Sequence, residues 1–229
     1  MKTTAIILAA GKGKRMRSDV PKQYLEVSGK PLLFYSIKAF EDSCVDEIMI
    51  VMDDVKYGKE QIVNRFGFKK VVNIIVGGKE RYHSVYCGLN AAKGSDYVLI
   101  HDGARPFITK QQIEVLLAET YQAGACVSGM PVKDTIKIAD KRNQVKETPN
   151  RDDVWMVQTP QVFSYSLIKN AYDRFMEDDR KEVTDDAMVL EKYGSHSVKL
   201  VKTSYRNIKI TTPEDILIAE AFIQSELYH

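Results

Sequence analysis

Four short apolar runs, separated by helix-patterned segments, limit what this chain can fold into more than any other feature. They are TTAIILAA (3–10), DEIMIVMD (46–53), VVNIIVGG (71–78) and DYVLIHDG (96–103). Each is continuous instead of alternating, which is the pattern of a strand covered on both faces. Between them lie PLLFYSIKAFED, with Pro31 at a first helical position, then VKYGKEQIVNRF, then ERYHSVYCGLNAA ending just before Gly94. This alternation predicts an α/β protein with a Rossmann-like, mostly parallel sheet and helices on both faces. A chain of 229 residues can bury a substantial core. With no internal repeat or low-complexity segment, residues 1–229 read as a single domain.

The rhythm breaks after ACVSGMPV. Residues 132–158 carry short alternating pieces around the polar turn DKRN. They predict a projecting β-arm, too small to own a core and suited to packing on another subunit. Helical patterns return at SYSLIKNAYDRFMED and TDDAMVLEKYG, followed by SVKLVKT, RNIKIT and a last helix, TPEDILIAEAFIQSEL. In that helix Thr212 suits the N-cap, with Pro213 next and Glu214 and Asp215 in the first turn.

Charge excludes several classes of partner. Lys and Arg number 33 against 31 Asp and Glu, a net charge of +2, which supports neither a nucleic-acid coat nor an anionic-membrane patch. No apolar run approaches a membrane span, and the first strand follows Met1 and Lys2 so closely that a cytoplasmic protein is expected. Cys44, Cys87 and Cys126 are odd in number and in no paired motif, so they read as reduced, apolar packing residues. His83, His101, His196 and His229 lack metal-ligand spacing.

Positive charge therefore matters locally, and it concentrates in AAGKGKRM (9–16) after the first strand. A dinucleotide fingerprint would need a third glycine where Met16 stands, and a phosphate-binding Walker loop would need wider glycine spacing and a Lys-Ser or Lys-Thr pair. Gly11 and Gly13 remain as a bare pair that lets backbone N–H groups approach an anion, beside Lys12, Lys14, Arg15 and Lys22. A plain glycine turn with solvated charges explains the bare pair equally well.

The longer context is more specific. LAAGKGKRM, PKQYLEVSGKPLL, GGKERYHSVYCGL, IHDGARPF, PVKDTIK, PNRDDVWMVQTPQVF, TDDAMVLEKYG and NIKITTPEDI occur in this order. Together they resemble the 2-C-methyl-D-erythritol 4-phosphate cytidylyltransferases, a family of the nucleotide-diphospho-sugar transferase type, over nearly the whole chain. The resemblance implies transfer of CMP from CTP to a sugar-alcohol phosphate, with release of pyrophosphate and with Mg2+ or another divalent cation. The chemistry suits the residues: a phosphomonoester is already a dianion near neutral pH, so neither a general base nor a covalent nucleophile is needed. The task is to hold two polyanions together, which calls for positioning and cationic clamps.

By the same resemblance, Ala9, Ala10, Gly11 and Gly13 wrap the triphosphate, and Arg15 and Lys22 stabilise the transition state. Gly77, Gly78 and Ser84 read the base, and Arg81 supports their loop. Lys79 stands where that family often has an acidic residue. Asp102, just past the end of a buried strand, is the expected magnesium ligand, and Arg105 holds either its loop or a phosphate. Thr135, Arg151 and Lys209 orient the acceptor. Thr135 and Arg151 lie on the arm, so a homodimer with arm-exchanged active sites is implied. Four alternatives stay open. Two are transferases: a ribitol-5-phosphate cytidylyltransferase, which tends to show AGG in its first loop where this chain has AAG, and a uridylyl or guanylyl transferase. The others are a non-catalytic nucleotide sensor and, disfavoured by Met16, a Rossmann oxidoreductase.

Overall fold

The computed structural model describes residues 1–11, 24–179 and 182–227. Gly13, Arg15 and Lys22 lie outside the described residues. In chain order the elements are β1 (Thr3–Leu8), β2 (Glu26–Val27), β3 (Lys30–Pro31), α1 (Leu32–Glu41), β4 (Glu47–Met52) and α2 (Val55–Tyr57), which continues as a π-helical stretch over Gly58–Asn64. Next come β5 (Val71–Val76), α3 (Arg81–Ala91), β6 (Tyr97–Asp102), α4 (Lys110–Ala123) and β7 (Ala125–Pro131). The chain closes with β8 (Ile138–Ala139), β9 (Val145–Glu147), β10 (Trp155–Ser164), α5 (Tyr165–Glu177), α6 (Asp186–Val189), β11 (Lys199–Lys202) and α7 (Pro213–Leu227).

The main sheet has the order β11-β7-β10-β6-β1-β4-β5. Its pairings are parallel except at β10, which runs antiparallel to both β6 and β7. Alternate side chains of the central strands feed two cores, as the two-residue period of a strand requires. Ala5, Ile7, Ile48, Ile50 and Leu99 pack with Leu33, Ile37 and Phe40 of α1 and with Ile113 and Leu116 of α4. Ile6, Met49, Val51, Val98 and Ile100 pack on the other face with Val85 and Leu89 of α3 and Ile168, Tyr172 and Phe175 of α5.

Three sequence expectations need correction. Residues 71–76 do form a strand, but β5 is the sheet edge, so Val72 and Val76 stand 53% and 60% exposed instead of being covered on both faces. Cys44 is exposed, whereas Cys126 is buried against Thr120 and the Leu116 carbonyl. The segment that leaves the body is also shorter than 132–158. Trp155, Met156 and Val157 pair with Pro131, Met130 and Gly129, and the Val132 N–H donates to the Val154 carbonyl at 3.0 Å, closing the root of the arm. Beyond that root, β8 and β9 pair around a turn in which Asp140 Oδ1 accepts from the Arg142 and Gln144 N–H groups. At the last helix, the Asp215 carboxylate reaches back to the N–H groups of Thr211 and Thr212.

Candidate active site

The carboxyl ends of β1, β4, β5 and β6 lie in register: Leu8 pairs with Val51 and with Asp102, and Met52 pairs with Val76. Each outgoing loop is tied to its neighbour. The Ala9 N–H donates to the Val51 carbonyl (2.7 Å), Gly77 N–H to Met52 (3.2 Å) and Gly103 N–H to Leu8 (2.9 Å). Three loops therefore leave one end of the sheet side by side, in the position where open α/β sheets bind ligands.

Two of these loops touch. A Cβ at Gly77 would collide with the Ala10 Cβ and come within 3.1 Å of Ser84 Oγ, so the chain needs glycine there for close approach. Ser84 is buried, and its Oγ accepts from the Gly78 N–H at 3.0 Å. Glu80 and His83 form a capping box at the start of α3, and the Glu80 N–H donates to His83 Nδ1. The expected base-reading residues thus form a loop braced by its own hydrogen bonds.

Beside this loop stands a cluster of charge. Asp102, 7% exposed, receives Arg81 Nε at 3.3 Å on Oδ1 and Lys209 Nζ at 2.6 Å on Oδ2, with Arg105 Nε at 4.0 Å. Burial alone would raise its pKa. The Arg81 and Lys209 charges outweigh burial and hold the carboxyl well below its usual range. Arg81 occupies the first turn of α3, the positive end of the helix dipole and a poor place for a lone cation. Its fork is closed by Asp186, at 2.9 Å from Nη1 and 2.8 Å from Nη2. Burial would lower the Arg81 pKa, but the Asp186 and Asp102 carboxylates raise it instead. The expected loop support is thus an ion-pair bridge.

Arg105 lies mostly inside the protein, and its Nη1 donates to the Asn207 carbonyl at 2.8 Å. Asn207, fully buried, donates from Nδ2 to the Thr159 carbonyl and to Gln158 Oε1. The Ile210 N–H reaches the Ala104 carbonyl. These bonds fasten the segment that presents Lys209. Of the two readings of Arg105, these contacts match the one in which it holds a loop.

His101 is fully buried between the same parts. Its Nε2 faces the Arg105 carbonyl at 3.0 Å and its Nδ1 faces Thr159 Oγ1 at 3.1 Å, while the Asp102 N–H donates to that hydroxyl. A carbonyl can only accept, so Nε2 carries the proton and Nδ1 accepts from Thr159. Burial lowers the His101 pKa from 6.5 to about 4. The unfolded chain therefore binds the extra proton first, and stability present above pH 6.5 is lost as pH falls from 6.5 toward 4, by about 3 kcal/mol. The Asp102 shift acts in the same direction, at lower pH. Urea unfolding at pH 7 and pH 4.5 checks this, and equal stabilities would mean that His101 is not held neutral.

The arm residues are elsewhere. Thr135 and Arg151 are exposed, and Arg151 Nη1 donates to the Lys133 carbonyl at 3.4 Å. In this chain, then, Ala9–Gly11, Gly77, Gly78, Arg81, Ser84, Asp102, Arg105 and Lys209 gather at one sheet end, whereas Thr135 and Arg151 stay on the arm.

Asp186, Tyr172, Thr159, Gln161 and Asn207 were not anticipated. Asp186 carries the only usable signal: two consecutive acids open the apolar run of TDDAMVL, and Asp185 already serves as the cap through Oδ1 to the Met188 N–H. The second acid, fully buried, therefore needed a cationic partner. Among the described residues no group of three or more His, Cys, Asp or Glu side chains could hold a metal. No helix of the described residues is long and apolar enough to cross a membrane.

A profile of the family described as 2-C-methyl-D-erythritol 4-phosphate cytidylyltransferase matches residues 3–225. The chain is similar to the proteins of that name from Lachnoclostridium phytofermentans, 48% identical over 225 residues covering 97% of both chains, and from Lachnospira eligens, 50% identical over 225 residues covering 96% and 99%. Among solved structures it resembles the 4-diphosphocytidyl-2C-methyl-D-erythritol synthase of Anaerococcus prevotii. The TM-score is 0.86 at 34% identity, with 97% and 96% of the two chains covered.

Proposed function

The chain belongs to the 2-C-methyl-D-erythritol 4-phosphate cytidylyltransferase family, and from that premise we infer that it joins CMP from CTP to 2-C-methyl-D-erythritol 4-phosphate, releasing pyrophosphate. The observation that carries this reading is the contact of the Ala10 and Gly77 loops at the sheet end where Asp102 and Lys209 meet. A nucleotide held across those two loops would present its α-phosphate toward the cation cluster. The backbone of Ala9, Ala10, Gly11 and Gly13 binds the triphosphate, and Gly77, Gly78 and Ser84 meet the cytosine edge.

The acceptor phosphate is the nucleophile and carries its own charge, so the protein supplies alignment and compensating cations. Lys209 faces it from the body, with Arg105 holding the Lys209 segment through the Asn207 carbonyl, and Arg15 and Lys22 act on the α-phosphate as charge shifts toward pyrophosphate. Thr135 and Arg151 are assigned to the arm of a partner in a homodimer, since both are exposed and the Arg151 guanidinium bonds a carbonyl of the arm itself, that of Lys133. Asp102 is a single hard carboxylate, which suits magnesium held mainly by phosphate oxygens and would be insufficient for an all-protein metal cage. Bound there, the ion would neutralise triphosphate charge. Its three cationic neighbours make that fit conditional on the nucleotide being present. Free cysteines and an ordinary surface charge favour a cytoplasmic location.

Pyrophosphate release tests the assignment. CTP with 2-C-methyl-D-erythritol 4-phosphate should support turnover, with ATP or UTP at least about tenfold poorer, since the base site hydrogen-bonds a specific edge. Equal use of ribitol 5-phosphate would reassign the acceptor, and equal use of UTP would remove the base-site reading.

A further inference from the structure

Lys209 has a flexible four-carbon stem, yet its ammonium is held at one point, 2.6 Å from Asp102 Oδ2. The carboxylate that holds it is itself oriented through its other oxygen by Arg81 Nε. Arg81 is fixed in turn by both oxygens of Asp186, which also accepts the Tyr172 hydroxyl at 2.6 Å. Asp186 and Tyr172 are fully buried and cannot meet either substrate. Behind them, Gln161 Oε1 accepts from the Asp186 and Ala187 N–H groups while its Nε2 donates to Asp185 Oδ2, seating the first turn of α6 on β10.

We propose that Asp186 and Tyr172 are positioning residues for the acceptor phosphate: through Arg81 and Asp102 they hold the Lys209 ammonium at the place where that phosphate binds. The inference rests on the reading of Lys209 as an acceptor-binding residue. Its physical content is a division of charge. Asp186 occupies the two terminal nitrogens of Arg81, leaving Asp102 a single contact from Nε and one oxygen for Lys209. Without Asp186, the Arg81 fork closes on Asp102 in the bidentate geometry that guanidinium and carboxylate prefer, and Lys209 loses its anchor. The nucleotide loop is independent of this relay. It is braced by Gly77 N–H to Met52, Gly78 N–H to Ser84 and the Glu80–His83 box, none of which uses the Arg81 guanidinium.

The effects should therefore separate by substrate. Asp186→Asn should raise KM for 2-C-methyl-D-erythritol 4-phosphate about 10-fold, and Tyr172→Phe, which removes one hydroxyl, about 3-fold. CTP affinity, measured by calorimetry without acceptor, should stay within about twofold of wild type in both variants. On a Lys209→Met background, Tyr172→Phe should add nothing further to acceptor KM, because the two act on one interaction. An equal loss of CTP affinity would overturn the proposal in favour of general support of the fold. Full additivity with Lys209→Met would overturn the relay while leaving Lys209 in place. A Lys209→Met enzyme with unchanged acceptor KM would overturn the Lys209 assignment and the relay with it. If Asp186→Asn does not fold, Tyr172→Phe and its cycle decide alone, and an unchanged acceptor KM in that variant refutes the proposal.

Discussion

Mixing Arg151→Ala subunits with Lys209→Ala subunits should restore activity far above the residual turnover of either variant alone. On the proposed assignment each substitution removes a cation from the acceptor phosphate, and the loss of one such preorganised charge contact typically costs about 10²–10³ in turnover. Arg151 stands on the arm, exposed, with its guanidinium on the Lys133 carbonyl, whereas Lys209 stands in the body on Asp102. If arms are exchanged in a dimer, a mixed dimer has one site with both residues intact and one with neither. Statistical pairing makes half the dimers mixed, so recovery should reach at most roughly a quarter of wild-type activity. Heterodimers that demonstrably form and remain inactive would rule out the shared site.

Asp102→Asn should be the most damaging conservative substitution in the cation cluster. Its carboxylate faces Arg81, Lys209 and Arg105 at 3.3, 2.6 and 4.0 Å with little exposure to water. An amide of the same shape removes the charge and turns N–H donors toward cations. Breaking a buried pair from one side typically costs 3–5 kcal/mol. About 3 kcal/mol is expected here, because Asp186 still compensates Arg81. The magnesium concentration needed for half-maximal turnover should also rise, since the carboxylate proposed to hold the ion is gone. Urea unfolding and a magnesium titration measure the two effects separately. A loss below about 1 kcal/mol with unchanged metal dependence would remove Asp102 from the centre of the cluster.

What could be read in advance follows from how local each cause is. The strands β1, β4 and β6 each carry a continuous apolar stretch because both faces are covered, and the run in the sequence records that directly. The same run at residues 71–76 says nothing about a missing neighbour, so the edge position of β5 was invisible. Asp102 was legible because it ends a buried strand. Its partner network was not, since Arg81 meets Asp186 across 105 residues and Asn207 meets Thr159 across 48. Contacts of that kind leave no period, cap or turn residue behind. Only the burial of the second acid in TDDAMVL hinted at a demand for charge compensation.

The antiparallel strand β10 gives the arm a mechanical character. The arm departs from the end of β7 and returns directly into β10, and these two strands are paired to each other while β10 is also paired to β6. It is thus a cantilever built into the main sheet and not a tether. Arg151 sits near the returning root, in a short 3-10 turn (Arg151–Asp153) only two residues before β10 begins at Trp155. Its location is set by the sheet's own ladder and is insensitive to the length of the distal turn at 140–144. An insertion in either stem acts differently, because shifting a strand by one residue turns every following side chain to the opposite face. Variation in length is therefore expected to be tolerated at the tip and not at the root, where, if arms are exchanged in a dimer, a change in one body would be felt in the site of another.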